Sequence, residues 1–544
     1  MKSSNKSVSS GLLKGAAVLS VAAIITKLLG TLQKIPLQNI GGDGVFGIYN
    51  TVYPFYTILI TLATAGFPTV VSKFVAERHV LGGEAEKREV LRVATAVMAL
   101  LGIMGSMVMY FGAPFIARLI GSSHLIPALR SAAPALLFIP LSASLRGYFQ
   151  GLQDMMPTAV SQVIEQAVRV TVMIVLLLYL SGINASESLV AGGALAGSAA
   201  GGAAGLIVVL LYWHRFNKET ERSGKKPAAN QGQPAEHSTG FRLLRDMLYY
   251  AIPVCLAALA VPLISLVDTF TLPRLLTKSG DELGTMIEVG VYNRGIPLVQ
   301  LVTMLASSLS VLFIPVLAEM NLKDDQAGIR RQSGLAIKWF WLIGLASSTG
   351  LAILAEPINI MLYEDGTGTS TMVWVAWTAA PSALVAVTAA MLQGLGIVRA
   401  PALNLLAAAA IKTALNVLLV PQLGITGAAI AGIAAYTAAA ALNLALLWRQ
   451  VQLRPRMVDA VLRPAAAVLA MSAAVLLLRL GADAVLPQGR LLAALESLLG
   501  VLLGAAVFAA AVLRTRLLGA AELAALPRIG PKLLKALRRM HLLR

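Results

Sequence analysis

The chain has 544 residues, of which 57% are hydrophobic and only 13% charged, with a formal net charge of +18. A mean hydropathy of +0.76 leaves too little polar surface to cover a water-soluble core of this size, which excludes a soluble globular protein and places the chain in lipid. A single cysteine, Cys255, excludes an intramolecular disulfide and a thiolate metal cluster.

Apolar runs repeatedly reach the ~20 residues that cross a hydrocarbon core of ~30 Å, where the backbone must satisfy itself. Long runs of Ala, Leu and Val favour helices over a barrel of short alternating strands. Fourteen spans are predicted, near residues 11–38, 46–72, 92–118, 125–150, 157–181, 188–213, 243–272, 286–317, 334–361, 371–395, 401–420, 424–448, 458–480 and 490–513. The first is read as a retained span, because its apolar stretch continues to Leu37 and contains Lys27 and Lys34, unlike a compact cleaved signal. Residues 217–240, rich in Lys, Glu, Gln, Pro and Ser, read as a mobile linker. After Arg514, basic residues spaced among leucines suit a short helix on the membrane surface.

Two stretches recur at an offset of 243 residues. Gly47-Ile48-Tyr49-Asn50 returns as Gly290-Val291-Tyr292-Asn293, Pro54 as Pro297, and Gln150-Gly151-Leu152 as Gln393-Gly394-Leu395. A shared offset held over a hundred residues implies duplication, and a half-and-half repeat in an apolar chain is the mark of a transporter. The expected fold is an all-α integral membrane protein with 14 transmembrane helices, two pseudo-symmetric six-helix lobes plus two C-terminal helices. The expected divisions are an N-terminal six-helix lobe (1–215), a cytoplasmic linker (216–241), a C-terminal six-helix lobe (242–450), two extra transmembrane helices (451–514) and a basic cytoplasmic tail (515–544).

Alternate connections carry the positive charge. One set holds Lys73, Arg78, Lys87, Arg88 and Arg92, then Arg215, Lys218, Arg222, Lys225 and Lys226, then Lys323, Arg330 and Arg331, then Arg449, Arg454 and Arg456. The other consists of short turns such as Gly41-Gly42-Asp43-Gly44 and Glu364-Asp365-Gly366, with Arg274 and Lys278 the exception. By the positive-inside rule the basic set and both termini are cytoplasmic in a multi-pass plasma-membrane protein. The net charge is thereby assigned to orientation and anionic headgroups rather than to nucleic acid.

The five histidines are scattered without metal-ligand spacing, and neither a phosphate loop nor a nucleophile elbow occurs, so no enzyme, metal or cofactor is expected. Charges inside spans carry the functional information, because an ion in hydrocarbon faces a partner or a wet cavity. Lys27, Lys34 and Arg294 are candidates for binding an anionic substrate; Asp268, Glu165, Arg169 and Arg146 are candidates for gating or ion coupling. Glu165 and Arg169 have the i, i+4 spacing of a helical ion pair, with Arg146 as a possible third member. Gly193, Gly197, Gly201 and Gly205 form a stripe on which another helix would pack closely. Pro54, Pro140, Pro253, Pro262, Pro297 and Pro315 would bend or break the helices that contain them.

Three groups of residues also carry a resemblance. They are Gly11-Leu12-Leu13-Lys14-Gly15 leading into Thr26-Lys27-Leu28-Leu29-Gly30; Gly66-Phe67-Pro68-Thr69-Val70-Val71-Ser72-Lys73; and Arg146-Gly147-Tyr148-Phe149-Gln150-Gly151 with Pro157-Thr158-Ala159-Val160-Ser161-Gln162 and Glu165-Gln166. Together they resemble the polysaccharide-transport branch of the multidrug, oligosaccharidyl-lipid and polysaccharide (MOP) exporter superfamily, and within it the stage V sporulation protein B and lipid II flippase families. The resemblance implies two six-helix lobes about a V-shaped cavity and movement of undecaprenyl-pyrophosphate-linked sugars from the inner to the outer leaflet. It implies pyrophosphate-holding cations on spans 1 and 8, which Lys27 and Arg294 match, and a lipid-tail groove at spans 13 and 14. The chain departs from that pattern with Lys27 where arginine is usual, Gln33 where a second cation often sits, and Gly47 in place of a span 2 acid. An ammonium lacks the bidentate fork of a guanidinium.

The expected function is a flippase for such a precursor, whether lipid II or a related envelope or spore cortex intermediate, working by alternating access with membrane lipids and envelope-synthesis enzymes as neighbours. A drug or cation antiporter of the same superfamily would instead have an acidic, apolar cavity and twelve spans. A scaffold without transport would leave Lys27 and Arg294 replaceable.

Overall fold

The computed structural model describes residues 2–64, 66–80, 84–222, 240–277, 280–452, 461–485, 489–515 and 517. Most of the predicted linker and nearly all of the predicted basic tail lie outside them. The described residues are predominantly helical, joined by short turns and without strands. The first helices are α1 (Lys2–Leu32), α2 (Lys34–Thr64), α3 (Phe67–Val80), α4 (Glu84–Phe111), α5 (Ala113–Ile120), α6 (Ile126–Ala132), α7 (Ala135–Gly151), α8 (Met156–Gly182) and α9 (Glu187–Arg222). Then come α10 (Gly240–Leu276), α11 (Glu282–Asn293), α12 (Ile296–Ser310), α13 (Phe313–Leu322), α14 (Gln326–Ile353), α15 (Ala355–Tyr363) and α16 (Thr369–Ala376). The last are α17 (Ala379–Gly394), α18 (Arg399–Leu423), α19 (Ile425–Val451), α20 (Arg463–Val485) and α21 (Arg490–Arg514).

The sequence repeat is written into these boundaries. The starts of α4, α5, α7 and α8 reappear, each within one residue of 243 positions later, as the starts of α14, α15, α17 and α18. Helices α20 and α21 follow with no counterpart in the first half.

Among the described residues twelve helices are long and apolar enough to cross a membrane, where fourteen spans were predicted. The difference has two sources. One of the twelve, Ala17–His79, runs for 63 residues through both the first and the second predicted span. It breaks at Gly42, whose φ of 77° and ψ of 177° interrupt α2 within the predicted Gly41–Gly44 turn, a conformation open to a residue without Cβ. The other source is α10, which covers the seventh predicted span with 37 residues and is not among the twelve. The twelve do include α20 and α21, so the additional pair is present.

Predicted spans are also broken where hydropathy reads them as continuous. The eighth is divided into α11, α12 and α13, with Arg294 and Gly295 in the first joint and Pro297 in the opening turn of α12. Proline fits that position because the first helical N–H groups have no intrahelical acceptor. The third and ninth spans break at matching places, before α5 and before α15. A local cap fixes the start of α14: the Asp325 carboxylate accepts from the Gly328 N–H at 2.8 Å.

The chain forms two compact units, Met1–Gly290 and Val291–Arg544. In the first, α9 packs along α8, and α10 packs on α2 with the Thr269 hydroxyl donating to the Thr51 carbonyl at 3.1 Å. Helix α2 also meets the end of α11 through glycine: a Cβ on Gly47 would collide with the Met286 carbonyl, and one on Gly290 with the Asp43 carbonyl. In the second unit α20 and α21 pack on each other, α20 on α14 and α21 on α15. Arg479 pairs with Glu356 at 2.8 Å and Arg490 with Glu364, tying the added helices to α15. Leu477, Leu480, Leu498 and Leu502 are exposed on α20 and α21, as lipid-facing positions should be.

The predicted glycine stripe is the seam between α9 and α8. Successive glycines face successive turns: Gly193 meets Leu180, Gly197 meets Arg169 and Met173, Gly201 meets Glu165 and Arg169, and Gly205 meets the Glu165 carboxylate and the Arg146 guanidinium. A Cβ at Gly201 would sit 2.5 Å from the Glu165 carbonyl, so only glycine permits this approach. Gly201→Leu is expected to force the helices apart at a cost of about 1–3 kcal/mol, read as a lowered thermal midpoint of the purified protein in detergent. The same change at Gly182, where a Cβ meets nothing within 4 Å, should leave the midpoint unmoved.

Candidate functional site

The motif stretches that are far apart in sequence meet in the first unit. Helix α7 carries Arg146-Gly147-Tyr148-Phe149-Gln150-Gly151, and its glycines lie against α3: a Cβ on Gly147 would be 2.7 Å from the Pro68 carbonyl, and one on Gly151 2.7 Å from that of Ser72. Tyr148 and Phe149 turn to α9, where Tyr148 stands edge-on to Trp213 with ring centroids 5.0 Å apart. Such aromatic edge contacts add roughly 0.5–1.5 kcal/mol to area burial. The duplicate repeats the glycine contact, with Gly394 of α17 against the Ile314 carbonyl of α13.

Arg146 links this packing to α8. Its Nε donates to the Ser161 hydroxyl at 2.8 Å and its Nη2 to the Glu165 carboxylate at 2.7 Å. Both side chains are well buried, 9% and 14% exposed, so the pair is strongly coupled. The predicted i, i+4 partner of Glu165 is placed differently. Arg169 donates from Nη2 to the Tyr56 hydroxyl at 3.3 Å and lies in the field of Tyr49, Tyr53 and Tyr56, three tyrosines on one face of α2. An interhelical guanidinium of good geometry takes the carboxylate, and the neighbour on the same helix is left to the phenols.

The tyrosine face was readable as an i, i+4, i+7 pattern but carried no charge to flag it. Tyr49 and Tyr53 stack with centroids 5.6 Å apart, and the Gln33 amide donates to the Tyr49 hydroxyl at 3.4 Å. Lys34, the first residue of α2, is buried and engaged, while Lys27 is exposed on α1. Asp268 is half-buried on α10 and also engaged.

In the second unit Arg294 occupies the joint between α11 and α12, almost fully buried at 1% exposure. It grips the turn after α15. Nη1 donates to Asp365 Oδ1 at 2.6 Å, Nη2 donates to Oδ2 at 3.1 Å, and Nη1 also reaches the Thr367 carbonyl at 3.4 Å. Tyr363 donates to the Arg294 carbonyl at 2.9 Å and places its ring 5.4 Å from the guanidinium. The sequence reading missed Asp365, although Glu364-Asp365-Gly366 was identified as a polar turn. The Arg294 hydrogen bond, aided by Thr367, holds the Asp365 carboxyl down at about 2. Asp365 itself is about half exposed (52%), so the outer partner of this bidentate pair is the accessible one.

Of the predicted site residues, Arg146, Glu165 and Arg169 share one neighbourhood, Lys27 and Lys34 belong to the α1–α2 region of the same unit, and Arg294 belongs to the second unit.

Known proteins match this architecture. Residues 12–321 match the polysaccharide biosynthesis protein family. The chain is 35% identical over 530 residues, covering 97% of it and 96% of the relative, to the uncharacterized membrane protein YabM of Bacillus subtilis. It is 27% identical over 449 residues, 79% of this chain and 81% of the other, to the lipid II flippase MurJ of the same organism. Among solved structures, the lipid II flippase MurJ in an inward closed conformation aligns with a TM-score of 0.65 at 14% identity, over 91% of this chain and 98% of that one, a likeness of fold. The named activity among these relatives is transport, not catalysis.

Two outcomes follow from the charged pairs. Glu165→Gln should strand the Arg146 guanidinium and cost about 3 kcal/mol, while Arg146→Gln in that background should cost little more, a coupling that a double-mutant cycle of unfolding measures. The Arg294–Asp365 clamp depresses a carboxylate, so its contribution is present above the ordinary carboxyl value of 3.8 and lost as pH falls through about 2. The thermal midpoint of Asp365→Asn should therefore lie below that of the wild type by a constant gap from about pH 5 to pH 7, a gap that begins to narrow under about pH 4 and closes near pH 2.

Proposed function

The chain belongs to the polysaccharide biosynthesis protein family of the MOP exporter superfamily, and from that premise we propose that it is a flippase for an undecaprenyl-pyrophosphate-linked oligosaccharide, lipid II or a related envelope or spore cortex precursor. The observation that carries the reading is the match to a lipid II flippase over 449 residues. Lys34, buried at the start of α2, and Arg294, buried in the joint between α11 and α12, agree with an anionic rather than a cationic cargo.

In this reading the headgroup crosses by alternating access, with fourteen crossings and both termini in the cytoplasm. Lys27 and Lys34 take the pyrophosphate as point charges. Arg294 takes part by exchange: a diphosphate oxygen pair replaces the Asp365 carboxylate on the same guanidinium fork, since each offers two anionic oxygens to its parallel N–H donors. The exposed member of the pair leaves and the buried one stays. Glu165, Arg146, Arg169 and Asp268 act in gating or ion coupling, and the isoprenoid tail rests beside α20 and α21.

The test is rescue of a strain depleted of its lipid II flippase by Lys27→Ala, Lys34→Ala and Arg294→Ala, with membrane levels of each variant measured. Rescue should fall at least tenfold in plating efficiency for each, while the lipid-linked precursor accumulates. Full rescue by all three at normal abundance would remove the cation-based headgroup site and leave the scaffold reading standing.

A further inference from the structure

The turn that clamps Arg294 is held from a second side. Glu364 and Asp365 are neighbours in the turn after α15 and go to different arginines: Asp365 to Arg294, and Glu364 to Arg490 at the start of α21. Arg490 also donates from Nε to the Met361 carbonyl at 3.0 Å, an acceptor in the last turn of α15. Arg479 of α20 does the same one helix back. Its Nη1 donates to the carbonyl of Ile353, the last residue of α14, at 2.9 Å, and its Nη2 to Glu356 at 2.8 Å. The added pair is thus fastened to the ends of α14 and α15 by two guanidinium groups, each holding a carbonyl and a carboxylate.

Within the turn the parts move as one. Asp365 Oδ1 accepts from the Thr367 N–H at 2.7 Å, and Asn359, 1% exposed on α15, donates to the Thr367 carbonyl at 2.9 Å. Asp365 therefore travels with the end of α15. Glu364 has a φ of 72°, the left-handed conformation for which a helix end ordinarily uses glycine. A residue with a Cβ held there, its carboxylate on Arg490, marks a position where the side-chain contact outweighs backbone ease. Next to the two arginines the same helices are bare: Leu477 and Leu480 flank Arg479, Leu491 follows Arg490, and all three are exposed.

We propose that Arg490 and Glu364 are positioning residues that make the Arg294 site selective for a pyrophosphate carried on a long apolar chain over a free, water-soluble one. This rests on the flippase reading above. While α21 holds the turn, Asp365 keeps both oxygens on the Arg294 fork, and an incoming phosphate finds those donors taken. A chain that settles on the leucines of α20 and α21 shifts the start of α21, Arg490 draws Glu364 and the turn with it, and the fork opens to the headgroup of the same molecule. Free pyrophosphate brings no chain to do this.

The test uses the purified full chain in detergent at pH 7. Asp365→Asn should lower the thermal midpoint less in an Arg490→Ala background than in the wild type, because the turn is then already loose. Equal shifts in the two backgrounds would overturn the link, whatever the cargo. Calorimetric titration with inorganic pyrophosphate and with undecaprenyl pyrophosphate then reads the selectivity. The wild type should bind the lipid at least tenfold more tightly, and Arg490→Ala and Glu364→Gly should each bind inorganic pyrophosphate at least threefold more tightly than the wild type does. One variant removes a positive charge and the other a negative one, so a simple field effect would move the two in opposite directions; opposite movement, or none, refutes the proposal. Should Arg490→Ala fail to fold, Glu364→Gly, which eases the left-handed backbone, decides in both measurements. A wild type that binds no undecaprenyl pyrophosphate would instead overturn the flippase reading, and the selectivity with it.

Discussion

Hydrocarbon offers apolar helices no hydrophobic reward for leaving it, so helix association in this protein rests on how closely backbones approach and on which polar groups meet when they do. Glycine and the buried ion pair answer that constraint together. The seam of α9 against α8 is built of glycines, and where the last two of them lie, the space a methyl group would fill is taken by Glu165, Arg146 and Arg169. The same logic brings α7 onto α3 through Gly147 and Gly151. The Arg146-Gly147-Tyr148-Phe149-Gln150-Gly151 run is therefore a packing device before it is anything else. Its arginine bonds to α8, its glycines admit α3 and its aromatics meet those of α9 edge to face.

Much of this was legible in the residues themselves. The repeat at 243 residues foretold helix boundaries that recur at that spacing, because duplicated apolar segments and turns carry duplicated limits. The added helix pair was legible as apolar length without a partner in the first half. Hydropathy could not see breaks: a window over 286–317 averages across Arg294 and Gly295, where the helix stops and restarts with a proline in its first turn. The Glu165 pairing was half legible for a related reason: the i, i+4 spacing put Arg169 first and Arg146 only as a third member, and Arg146 is the one that bonds. Sequence spacing reports what one helix can do alone, whereas Arg146 competes from another helix with a charge-assisted hydrogen bond of 2.7 Å. Asp365 escaped notice because a turn acid is ordinarily solvated, and only the fold carries its carboxylate back to the Arg294 joint.

The two halves have diverged in charge while keeping their frame. Arg169 on α8 and Lys412 on α18 stand at repeat-equivalent positions, and Lys412 is 3% exposed, so each half retains an enclosed cation on its fifth long segment. Arg294 corresponds to Thr51, whose carbonyl accepts from Thr269. The second half thus carries a guanidinium where the first has a hydroxyl, and with it a clamp on its own turn.

The crossing of α2 and α11 has the same geometry read from either side. Gly47 rests on residue 286 and Gly290 on residue 43, and residues 43 and 286 are themselves equivalent in the duplication, as are the glycines. The contact is consequently its own mirror in sequence: a slip of one residue along either helix would unseat both glycines at once, so the register is held by an all-or-nothing fit. It follows that a bulkier residue at either glycine would disturb the seat of the other as well, so the two positions act as one unit of packing.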